Sequence, residues 1–127
     1  RPYDPTTVCP DSKQFFSVVK TSDARNPAGQ PYVLVRMTAL GHRALAAMLT
    51  NDTQRAVYMF PVCPFWLAQD NISVDQLRSS PCRLVDALLI ASRGPFAMDP
   101  CTHDTGAVFR DSFHLPGYWG ACCAGCR

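Results

Sequence analysis

The sequence predicts a small single α+β domain: a mixed or antiparallel sheet with two helices, stapled by about three disulfides. Three observations carry that expectation. Two apolar runs rich in β-branched and aromatic residues flank a turn-forming segment, two further stretches carry apolar residues at helical spacing, and seven cysteines stand in 127 residues. Strands and helices combined in one short chain belong to the α+β class.

Taken in order, residues 1–12, "RPYDPTTVCPDS", hold three prolines and two aspartates and are expected to form an extended arm pinned by Cys9. Phe15 to Thr21 and Pro31 to Met37 are the arms of a hairpin joined by "SDARNPAGQ". "TALGHRALAAMLTND" places Leu40, Ala44 and Met48 on one helical stripe with Leu45 and Leu49 beside it, and Asn51 near its natural stop. Gly41 inside that stretch weakens it by about 1 kcal/mol relative to Ala. Ala56 to Val62, "AVYMFPV", is expected to be a third strand ending at Pro61. In "SSPCRLVDALLIASRG" Ser80 is a good N-cap, Pro81 suits the first helical position, and Gly94 offers a left-handed stop. Leu84, Leu88 and Ala91 share one face of that helix, with Val85 and Leu89 flanking it, as in an amphipathic helix packed on something flat. "GAVFRDSFHLPGYWG" offers one more strand through Val108 and Leu115.

Composition excludes several classes. With 47% hydrophobic and 17% charged residues the chain is not of disordered type. A net charge of +2, with Lys and Arg scattered rather than clustered, argues against nucleic acid as a partner. The longest apolar stretch, Leu84 to Ala91, is far short of a membrane span and contains Asp86.

Cys9, Cys63, Cys82 and Cys101 are widely spaced, unlike metal-ligand pairs, and read as a disulfide framework built in an oxidising compartment. Two sequons, "NDT" at Asn51 and "NIS" at Asn71, point the same way. The expectation is a secreted, extracellular glycoprotein, starting at Arg1 as a mature or trimmed product with its signal peptide removed. Cys122, Cys123 and Cys126 crowd the end of the chain. Neighbours such as Cys122 and Cys123 cannot easily bond each other without peptide strain. Residues 117–127 therefore read as a clamp bonded to upstream cysteines, each closed loop contributing about 3 to 4.7 kcal/mol in the chain-entropy picture. The alternative is that Cys123 and Cys126 close their own C-x-x-C ring. Either way one cysteine is left over, for an eighth cysteine beyond Arg127, an intermolecular bridge, or a buried thiol.

Three chemistries are disfavoured. The C-x-x-C has no following helix to stabilise a thiolate, which argues against redox catalysis. Cys122, Cys123, Cys126 and His114 lack paired knuckle spacing, so no metal and no cofactor is expected. His103 lies between Asp99 and Asp104, and His42, His114 and Lys20 supply further acid-base groups, yet any small domain with three histidines offers such combinations. Binding remains. Phe60, Phe65, Trp66 and Leu67 cluster between prolines, and Tyr118 and Trp119 repeat the theme; constrained aromatics bury large area at small entropic cost. Phe60 and Phe65 suit the core, and Trp66 and the Tyr118-Trp119 pair suit exposure. The expected function is a non-enzymatic protein-binding ligand or subunit: a cytokine-like factor, a host-directed effector or a small envelope-glycoprotein subunit. Its partner is a receptor or larger glycoprotein, with a disulfide link or a homodimer as options. The alternatives are a small secreted hydrolase or nuclease using His103 and His114, or a carbohydrate-binding module.

Overall fold

β-Branched and aromatic residues on either side of a turn-forming segment draw the first described part of the chain into the expected hairpin. The computed structural model describes residues 15–69, 81–94, 96–97, 106, 108–121 and 123–126. The arm at 1–12 with Cys9, and Asn71, Ser80, Cys101, His103 and Cys122, lie outside them, as does the side chain of Cys82. Strand β1 (Phe16–Arg25) and strand β2 (Pro31–Met37) pair antiparallel, with register irregularities between Val18 and Lys20 and between Thr21 and Arg25. β1 runs further than expected because the turn is only Asn26 to Gln30. Asn26 exchanges backbone bonds with Gln30 and Gly29, its Oδ1 accepts from the Gln30 amide at 2.8 Å, and Gly29 takes the left-handed φ of 84° that such a turn needs.

Helix α1 (Ala39–Ala47) follows, capped by Thr38, whose side chain accepts from the Gly41 amide. Helix α2 (Asp52–Tyr58) is a correction. The segment expected to be a third strand, Ala56 to Val62, is instead the last turn of this helix followed by a turn and loop, and Asn51 starts this helix rather than stopping the previous one, its Oδ1 accepting from the Gln54 amide at 2.9 Å. The third strand, β3 (Phe65–Ala68), comes later and pairs antiparallel with β2, giving the order β1-β2-β3. Among the described residues three helices therefore stand where two were expected, the third being α3 (Pro81–Arg93).

α3 is not an amphipathic helix laid on a flat surface. Every residue from Val85 to Arg93 is buried, so it is the central rod of the core, flanked by α2 and the C-terminal segment. Val33, Val35, Met37, Phe65 and Leu67 on the inner sheet face join Leu88 and Phe109 in that core. Gly94 does not take the left-handed stop. Its amide continues to Ile90 O at 2.6 Å, and a Cβ there would meet His114 O at 3.2 Å, so small size is what the position requires. The expected strand from Val108 to Leu115 shortens to β5 (Phe113–His114), paired with β4 (Phe96–Ala97), plus a single bridge from Phe109 to Leu67. Two 3-10 turns, Trp119–Ala121 and Ala124–Cys126, complete the described chain.

The domain is thus α+β with an antiparallel sheet. No helix of the described residues is long and apolar enough to cross a membrane. The expected count of about three disulfides is not supported among the described cysteines: no disulfide joins any two of them, and Cys63 is an exposed free thiol held in a loop between Pro61 and Pro64.

Candidate functional site

Alternation along β2 and β3 sends Val33, Val35, Phe65 and Leu67 inward, and turns Leu34, Arg36 and Trp66 to the other face. Lys20 of β1 is level with Leu34, which is level with Trp66, so a cation, an aliphatic chain and an indole form one row across three strands. Lys20 Nζ lies 5.7 Å from the Trp66 ring centroid. From the opposite side Arg110 Cζ approaches to 4.1 Å. Both distances suit cation–π attraction. Arg110 is positioned by its own backbone, whose amide donates to Trp66 O, and by Asp111, 3.3 Å from its guanidinium. Trp66 and Leu34 are half-buried and Ser17, Lys20 and Arg36 exposed, while Val18 and Val19 on β1 are 57% and 50% exposed.

The other expected aromatics divide. Phe65 is only 1% exposed, wedged between the rings of Phe16 and Phe109 at 5.9 and 6.0 Å, so it belongs to the core and offers no binding surface. Tyr118 and Trp119 are half-buried; Tyr118 meets Phe60 edge-on at 5.5 Å and Trp119 at 6.4 Å. Trp119 has a φ of 48°, uncommon for a bulky residue, and Gly120 continues the left-handed path at 63°.

A second feature forms where the ends of α2 and α3 meet. Arg93, only 4% exposed, donates from Nε and Nη2 to Tyr58 O at 3.2 and 3.1 Å and from Nη1 to Ser92 Oγ at 2.7 Å. Its guanidinium also stacks over the Tyr58 ring, 4.8 Å from the centroid. Burial pulls its pKa down and the Tyr58 neighbourhood opposes this, but a guanidinium remains charged. Above it opens a cleft of about 340 Å³ between Phe60, Pro61, Cys63, Leu115 and Pro116. A neighbouring cleft of about 280 Å³ shares Cys63 and holds His42 and Arg36. Burial first, and the Arg93 charge second, lower the His42 pKa and favour its neutral imidazole.

The remaining sequence-predicted groups are not brought into one constellation. His114 sits half-buried on β5 with its Nδ1 buried and making no hydrogen bond, and its proposed partner His103 lies outside the described residues. Cys123 is buried and Cys126 exposed; the Cys126 amide donates to Cys123 O at 3.2 Å, and no sulfur bridge closes that ring. Asn51 is exposed with its sequon partners Asp52 and Thr53. Among the described residues no group of three or more His, Cys or Asp side chains is arranged to hold a metal ion.

The chain matches no protein-family model, no curated protein and no solved structure. Its function is therefore argued from the residues alone. Sequence reasoning considered Lys20 only as an acid-base group, not as a neighbour of Trp66, and missed Arg110 and the Arg93 cleft. An arginine that ends the helix after the apolar run Ala87 to Ala91, with no acidic residue three or four positions before it, was the available signal for the last of these.

Proposed function

We propose that this chain is a secreted, non-enzymatic binding domain whose partner is another protein, seated on the outer face of the sheet around Trp66. The observation that carries this reading is the row Lys20, Leu34, Trp66 and Arg110: an accessible indole on a rigid strand, flanked by two cations. Trp and Arg are the side chains most enriched at binding hot spots, and here neither must be ordered on binding, because each already holds the other. Three cations on one face, Lys20, Arg36 and Arg110, of which Arg110 is paired with Asp111, select an acidic partner surface with an apolar centre.

The test is recovery of the secreted chain together with whatever protein it carries from expressing cells. Trp66→Ala is expected to weaken that complex at least ~30-fold, a hot-spot loss of about 2 kcal/mol. Its melting temperature should stay near the parent's, since the side chain is half-exposed. Lys20→Glu combined with Arg110→Glu should slow association and invert its salt dependence. Equal recovery of the same partner by all three chains would overturn the proposal.

Secretion has its own check at Asn51. The Asn51 amide Oδ1 caps α2 while its nitrogen is left for a glycan, and the exposed Thr53 hydroxyl completes the sequon without touching the cap. Thr53→Ala is expected to remove one glycan-sized mobility step on gels from secreting eukaryotic cells, with stability changed by no more than about 0.5 kcal/mol. Identical mobility of parent and variant, before and after deglycosylation, would count against passage through that pathway at this site.

A further inference from the structure

We propose that the cleft over Arg93 is a binding site for small organic carboxylates with an apolar body. It shares no residue with the Trp66 face and does not depend on that reading. A guanidinium carries five N–H donors and a full positive charge. At Arg93 three donors are satisfied, all by neutral oxygens, those of Tyr58 and Ser92. Among the described residues the ion pairs belong to surface arginines, Arg55 with Asp52 and Arg110 with Asp111, whereas Arg93, 4% exposed, has no carboxylate. The carbonyl end of α2 and the face of the Tyr58 ring offset part of the charge. Removing one cation from water without a counter-anion is unfavourable, so the site is electrostatically complete only when an anion enters.

The surroundings select which anion. The walls, Phe60, Pro61, Leu115 and Pro116, are apolar, and about 340 Å³ is the small end of the range for ligand pockets. A phosphate or sulfate would bring two charges and a firm hydration shell against one cation and dry walls. A monocarboxylate brings one charge, two coplanar oxygens that match the guanidinium edge, and a body that covers the walls. The cleft is also stiff. Phe60 is braced by Tyr118, and the Cys63 amide ties the Pro61 to Pro64 loop to Ser92 O at 2.7 Å. Little ordering is left for the ligand to impose.

The experiment titrates the whole chain with phenylacetate and with phenylacetamide, its neutral counterpart of nearly the same shape, following amide and tryptophan side-chain NMR signals. Saturable binding of phenylacetate is expected with a dissociation constant on the order of millimolar, the range for a ligand this small, and at least ~10-fold weaker for the amide. Arg93→Lys keeps the charge and loses the fork, and should weaken the acid at least ~3-fold. Pro116→Asp, at an exposed lip position, supplies the missing carboxylate from the chain itself and should abolish phenylacetate binding while keeping the fold. N-acetylphenylalanine separates the two sources of such a group: tighter binding than phenylacetate assigns the site to a peptide C-terminus, and weaker binding to free acids. Equal affinity for acid and amide, no saturation by phenylacetate at concentrations of about 10 mM, or unchanged binding by the Pro116→Asp chain would each overturn the proposal.

Discussion

Gly41→Ala is expected to lower the melting temperature by roughly 5–10 °C, although alanine is the better helix former by about 1 kcal/mol. A Cβ at residue 41 would stand 2.3 Å from Phe15 O, a backbone atom that cannot swing aside like a side-chain tip. That oxygen is already occupied. It accepts from the Thr38 amide at 2.9 Å and the Thr38 hydroxyl at 3.2 Å, and the same hydroxyl accepts from the Gly41 amide at 3.0 Å to cap α1. One methyl group would therefore push apart the start of β1, the cap and the first turn together. Overpacking of this kind costs about 1–3 kcal/mol or more, and here it outweighs the propensity gain. The reciprocal change Ala46→Gly, at an exposed position of the same helix, should cost only the propensity difference of about 1 kcal/mol. Thermal melts of the two variants decide the matter. A Gly41→Ala protein as stable as its parent would mean that residue 15 does not lie against this helix.

How much of this was legible follows from the range of the interactions. The hairpin could be read because β-branched and aromatic residues and turn formers all act locally over 15–37, and α3 because its apolar periodicity is long. Gly41 was read correctly as a helical glycine, but with the wrong sign for its substitution, since Phe15 approaches it from 26 positions away in the chain. α2 was missed because "AVYMF" has strand composition. The competing signal was Asn51 followed three positions later by Gln54, the spacing at which a cap and its helix begin. β3 hid for the opposite reason: with Phe65, Leu67 and Ala68 buried and Trp66 half-buried, its four residues show almost no polar alternation. Trp66 was singled out, yet the cations that make its face selective come from Lys20 and Arg110, which only the sheet register brings to it. The Arg93 cleft is assembled from Phe60, Cys63, Leu115 and Pro116, and no window of sequence contains them all.

Gln54 supplies the largest expected effect, because it is the polar tie between α2 and the central helix. It is fully buried and Asp86 nearly so, and Gln54 Nε2 donates to Asp86 Oδ1 at 2.8 Å. On its other side Oε1 accepts from the Thr50 amide at 2.7 Å and the Thr50 hydroxyl at 3.3 Å. The side chain thus uses donor and acceptor ends at once, joining the α1–α2 connection to α3. Gln54→Leu conserves the volume but takes away the donor to a buried carboxylate and the acceptor of a backbone amide; the expected loss is about 3 kcal/mol. Gln54→Glu keeps an oxygen for Thr50 and turns a second carboxylate toward Asp86, so at neutral pH it should be at least as damaging. Like charges at such distance raise the folded-state pKa of the pair above its unfolded value. The sign follows: the penalty is present at neutral pH and relieved as pH falls through that raised value, because one proton then restores a donor between the two groups. Denaturant midpoints measured across that range should show the Gln54→Glu protein gaining stability on acidification relative to Gln54→Leu. Parallel pH profiles for the two variants would mean that residue 54 and Asp86 do not share a buried contact.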